Sequence, residues 1–138
     1  MKLFTIGYGG RKPDEFVAML LEQRIRAVVD VRLRPDRASM GVYTKAKDAG
    51  KGIGGLLAAS GIEYFSLPEL GNLFLELDDW PERYRQLVDR AGDLLISRLD
   101  GIPEPYCLLC AERRVGECHR GMIAELLVGR GYQFDHLE

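Results

Sequence analysis

Short β-prone runs alternate with helical segments along the whole chain, and this alternation limits the fold more than any other feature. Leu3-Phe4-Thr5-Ile6 is the first run, ended by Gly7-Tyr8-Gly9-Gly10. Phe16, Leu20 and Leu21 follow at helical spacing, and Pro13 suits a first helical turn. Ala27 to Val31 is apolar enough for a strand buried on both faces. Ile62 to Leu67 is a third strand, closed by Pro68. Asp79-Trp80-Pro81-Glu82 opens a helix as an N-cap, a first-turn proline and a capping-box glutamate. Its apolar stripe is Tyr84, Leu87, Val88, Ala91, Leu94 and Leu95. Tyr106 to Ala111 is the fourth strand, a helix runs from about Cys118 to Gly129, and Tyr132 to Leu137 is a fifth, edge strand.

This order predicts a single α/β domain over residues 1–138. It has three layers: a mostly parallel sheet of about five strands, with helices on both faces and right-handed crossovers. A length of 138 residues, with 46% hydrophobic and 29% charged side chains, suits one core without staples. No apolar run reaches the roughly 20 residues of a membrane span. The start MKLFTIG is too short and too soon broken by glycine for a signal peptide. Three cysteines, an odd number, do not suit a secreted disulfide scaffold, so a cytoplasmic location is expected.

The segment 44–61 is the least readable. Gly50, Gly52, Gly54 and Gly55 weaken any helix by about 1 kcal/mol each relative to alanine. A short helix over Leu56 to Ser60, ended by Gly61, is expected, within either a lid or a long surface loop.

In a parallel sheet the residues after each strand gather at one edge, where open α/β folds bind ligands. Those residues are Tyr8 and Arg11, then Asp30, Arg32 and Arg34, then Glu69, then Cys110, Glu112 and the run Cys118-His119-Arg120. A helix N-terminus with Arg120 beside it attracts anions, and Arg32 reaches the same space from the next strand. Tyr8, Arg11, Arg32 and Arg120 are thus candidate anion-binding residues, although Arg120 can instead clamp Glu112 or Glu117. Asp30, Glu69, Glu112, Cys118 and His119 are candidate catalytic groups for proton transfer or nucleophilic attack. Asp30 can equally pair with Arg32 or Arg34, and Glu69 can be a surface turn residue. Cys118, at a helix N-terminus beside His119 and Arg120, is where a thiol becomes reactive, and Cys110 is its candidate redox partner. Two buried, inert thiols are the alternative. Cys107 lies mid-strand and reads as core.

Cys107, Cys110, Cys118 and His119 are zinc-ligand types, but residues three apart on a strand face opposite sides, so no metal is expected. Neither cysteine is followed at the sixth position by the arginine of a rhodanese or phosphatase loop: Gly116 and Ala124 stand there. Nothing points to a cofactor.

Thr5-Ile6-Gly7-Tyr8 with Arg11, Val29-Asp30-Val31-Arg32 with Pro35, Leu67-Pro68-Glu69-Leu70-Gly71, and Cys110-Ala111-Glu112 with Cys118-His119-Arg120 come in this order. Together they resemble the domain of unknown function 488 family over nearly the whole chain. The resemblance implies a compact bacterial or archaeal α/β domain and places these thiol, glutamate and His-Arg positions in the family's signature. It implies no activity.

Three functions are compatible with these residues. The first is an enzyme on a phosphate-bearing small molecule, nucleotide or nucleic acid. The second is a non-catalytic nucleic-acid-binding module, permitted by the charge asymmetry. Residues 1–60 carry 11 Lys/Arg against 6 Asp/Glu, whereas residues 61–138 carry 8 against 15. The third is a thiol redox protein using Cys110 and Cys118. No membrane partner is expected, and the oligomeric state is left open.

Overall fold

The computed structural model describes residues 2–138. Five strands form one all-parallel sheet: β1 (Lys2–Gly7), β2 (Ala27–Asp30), β3 (Glu63–Ser66), β4 (Tyr106–Cys110) and β5 (Gln133–Leu137). Their spatial order is β3-β2-β4-β1-β5. The apolar run Tyr-Cys-Leu-Leu-Cys places β4 at the centre, buried at every residue, while the half-polar β5 takes an edge.

Four helices cover the two faces: α1 (Pro13–Glu22), α2 (Gly52–Ala58), α3 (Trp80–Leu95) and α4 (Arg120–Val128). Phe16, Val17 and Leu20 of α1 pack with Ile53 and Leu57 of α2 on one face, where Val28, Cys107 and Leu109 point. Tyr84 of α3 and Ile123 and Leu127 of α4 pack on the other, with Val29, Leu108 and Cys110. The chain therefore leaves β1 and β2 toward one face and β4 toward the other. A crevice opens beyond the carboxyl ends where neighbouring strands part in this way. Register brings the relevant ends level: Gly7 pairs with Cys110, and Asp30 with Leu109 and Ser66.

Three local expectations are corrected. The Gly-rich segment forms its helix at Gly52–Ala58, earlier than Leu56 to Ser60. Burial of Ile53 and Leu57 outweighs weak propensity, and Gly52, at φ +59°, turns the chain into the helix where a side chain would meet the Thr44 carbonyl. Asp79 precedes α3 but caps no amide; its carboxylate takes the Arg83 side chain at 2.9 Å instead. The last helix starts at Arg120 because Cys118 is extended, at φ −134° and ψ 145°. Among the described residues no helix is long and apolar enough to cross a membrane.

Candidate functional site

A cleft of about 530 Å³ lies beyond the carboxyl ends of β1, β2 and β4. Tyr8, Arg32, Asn72, Cys110, Glu112 and His119 line it, with Leu33, Leu73, Leu75 and Leu77 exposed around its rim. Cys110 and Cys118 are joined as a disulfide at the start of α4. Cys110 faces the cleft, and both cysteines are buried.

The sulfurs sit among polar groups. Arg120 Nη1 donates to Cys110 Sγ at 3.1 Å, and the Arg120 amide, in the first turn of α4, donates to Cys118 Sγ at 3.4 Å. Glu112 Oε2 lies 3.4 Å from Cys110 Sγ. His119 Nε2 donates to the Val31 carbonyl at 2.8 Å, which fixes the tautomer and leaves the Nδ1 lone pair 3.7 Å from Cys118 Sγ. Burial lowers the His119 pKa to about 4, against carbonyls of Val31 and Leu70 that favour its charge, so the ring is neutral at pH 7. Its ring packs edge-on against Tyr84 at 5.0 Å between centroids.

A second buried network holds the β2 end. Asp30 is wholly buried and grips Arg32 with both oxygens, at 2.9 Å to Nε and 2.6 Å to Nη2. Tyr64 donates its hydroxyl to the same carboxylate at 2.5 Å. Burial opposes the charge on Arg32, yet the hydrogen bonds and charge of Asp30 raise its pKa above the ordinary value. Burial, then the Asp30 charge, pushes the Tyr64 hydroxyl up as well. Arg32 also donates to the Tyr8 hydroxyl at 3.2 Å and the Tyr43 carbonyl at 2.9 Å, and its guanidinium lies 5.0 Å from the Tyr8 ring centre.

The structure brings Tyr8, Arg32, Cys110, Glu112, Cys118 and His119 together and places the other candidates differently. Arg120 is fully buried; besides Cys110, its guanidinium bonds the Thr5 hydroxyl and the carbonyls of Glu112 and Arg113. It braces the β1 and β4 ends and does not line the cleft. Arg11 turns toward β5, bonding the carbonyls of Gly7, Leu137 and Glu138. Glu69 pairs outward with Arg98 at 2.7 Å, and that hydrogen bond lowers its pKa. Asp30 lies under the cleft as the anchor of Arg32. Cys107 points to the opposite face, where burial pushes its thiol pKa up.

Cys110, Glu112 and Cys118 place their donor atoms within 4.8 Å of one another, a set that two free thiolates and a carboxylate would offer a cation. In this structure both sulfurs are committed to each other, and the Arg120 cation abuts one of them. Sequence reasoning missed Asn72, which has no motif of its own and comes after Gly71 in an unremarkable turn. It also missed the leucine rim, because Leu73, Leu75 and Leu77 read as ordinary apolar residues until their exposure is known.

No curated protein and no solved structure matches the chain. A family model matches residues 12–127, a span that holds every residue of the cleft except Tyr8, and the chain therefore belongs to the family described as Domain of unknown function DUF488.

Proposed function

We propose that the protein carries out thiol–disulfide exchange, with Cys110 and Cys118 as its reversible dithiol/disulfide pair. The observation that carries this reading is the bonded Cys110–Cys118 pair at the wall of a ligand-sized cleft. The same geometry weakens the anion-binding reading: Arg11 and Arg120 spend their donors on carbonyls and Arg32 is neutralised by Asp30.

In the reduced protein Cys110 is the attacking thiol, because it faces the cleft. Glu112 accepts its proton, and Arg120 stabilises the thiolate. The thiolate attacks one sulfur of a substrate disulfide R–S–S–R′. The S–S bond breaks, R′S⁻ leaves with the electron pair, and a mixed disulfide joins Cys110 to R. Cys118 then loses its proton, with the His119 Nδ1 lone pair as the adjacent acceptor. Its thiolate attacks the Cys110 sulfur, RS⁻ leaves and the Cys110–Cys118 bond forms. Two electrons pass from the dithiol to the substrate, and the dithiol's two protons end on the released thiols. The reverse sequence reduces the pair.

Hydroxyethyl disulfide tests this order of events. The Cys118→Ser variant is expected to accumulate a stable adduct on Cys110, while the reduced wild-type protein passes on to its internal disulfide. No adduct on Cys110 in that variant, with a wild-type dithiol that never oxidises, would refute the reading.

A further inference from the structure

Among the described residues, the Asn72 amide nitrogen is the one buried side-chain N or O atom without a hydrogen-bond partner. Asn72 is 5% exposed and lines the cleft. Its orientation is fixed, because Oδ1 accepts the Phe74 amide at 2.9 Å and Nδ2 must then be the free end. An unpaired buried donor is costly, and the cleft that Asn72 lines is the adjoining space from which an acceptor can be supplied. Tyr8 adds a second donor. Its oxygen accepts Arg32, which leaves its own hydrogen for the cleft.

The rim is mixed in charge and apolar between the charges. Arg37 is exposed and forms no ion pair among the described residues, and Glu76 and Glu112 supply negative charge to the same lining. The leucines between them suit an uncharged stem. A ligand matching this lining has carbonyl acceptors at its middle, both signs of charge at its ends and a sulfur that reaches Cys110. We propose that the cleft binds a short cysteine-containing peptide thiol, taken up as its disulfide. Asn72 Nδ2 and the Tyr8 hydroxyl hold its peptide carbonyl, and Arg37 meets its carboxylate. The binding site rests on the structure alone, whereas the sulfur's role rests on the exchange reading above.

S-Methylglutathione is the probe, because it has the peptide and both charge signs but cannot exchange. Added to the oxidised wild-type protein, it is expected to shift the Asn72 side-chain amide resonances in a saturable titration. Loss of one hydrogen bond in Asn72→Ala weakens binding by about fivefold or more. Arg37→Ala, at the exposed rim, weakens it by a similar factor, and glycylglycine at the same concentrations binds more weakly than the probe. In parallel, reduced protein is offered oxidised glutathione and hydroxyethyl disulfide, with faster oxidation by the glutathione form. No shift at Asn72, or binding unchanged in both variants, overturns the proposed site. Saturable binding at Asn72 with no oxidation by either disulfide upholds the site and overturns only the exchange reading.

Discussion

Arg120 and Cys110 are in direct contact: the guanidinium Nη1 lies 3.1 Å from the sulfur and 2.6 Å from the carbonyl of Glu112, two residues further on. One cation thus braces the loop after β4 and places positive charge beside the sulfur that the proposed exchange would turn into a thiolate. Two roles meet in one side chain, so they must be separated by experiment.

Replacing Arg120 with methionine keeps bulk and removes every donor. The part-buried carbonyls of Glu112 and Arg113 lose a partner, and since a fully buried group left unpaired costs about 1–3 kcal/mol, the loss for each lies toward the low end of that range. Urea unfolding is expected to show that loss, and mixed-disulfide formation on Cys110 is expected to slow. Arg120→Lys restores charge without the planar fork and recovers part of the rate. Full rate and stability in Arg120→Met would exclude both roles.

Asp30 and Arg32 form a buried ion pair, with side-chain exposures of 0% and 7%. Asp30→Asn leaves the guanidinium without its counter-charge, at a cost of about 3–5 kcal/mol. The double variant Asp30→Asn, Arg32→Met is expected to be more stable than Asp30→Asn alone, since the stranded charge is gone. A double-mutant cycle in urea measures this coupling, and additive effects would contradict it.

His119 makes the fold sensitive to acid. Its folded pKa, about 4, lies below the 6.5 of an unfolded imidazole, chiefly because it is buried. Between these values the unfolded chain binds more protons, so the contribution is fully present above about pH 6.5 and is lost as pH falls toward 4. The total is about 3 kcal/mol. His136 shifts in the same direction through burial and remains in both proteins. His119→Gln should flatten the pH dependence of urea unfolding between pH 7 and 4, and an unchanged slope would rule His119 out as its source.

Gly7 touches the site through its missing side chain. A Cβ there would run into the Glu112 carbonyl, the acceptor of Arg120. Gly7→Ala is expected to destabilise by about 1–3 kcal/mol through overpacking and to slow exchange at Cys110. Gly116→Ala, with open space around it, is the control and should change unfolding little.

The layer order and strand ends were legible in the sequence because apolar runs and helical stripes alternate, and parallel topology alone gathers the post-strand residues at a single edge. The polar pairings within that edge were not legible. Nothing in the primary structure says that Arg120 turns inward to Thr5 while Arg32 turns to Asp30, because both choices depend on which carbonyls and carboxylates the fold leaves unpaired nearby. Asp79 shows the same limit on the surface, where a nearby arginine takes a carboxylate placed to cap a helix. The Cys110–Cys118 pairing needed the extended turn at Cys118, which shortens α4 by two residues relative to the periodicity.

The reversibility of the Cys110–Cys118 bond is the central claim, and equilibration in graded mixtures of reduced and oxidised dithiothreitol tests it most directly. After acid quenching, the alkylated cysteines are counted by mass. The expected result is one transition in which Cys110 and Cys118 change together while Cys107 stays reduced and the fold persists. A pair that stays bonded at every ratio, or that never bonds at any, would contradict it.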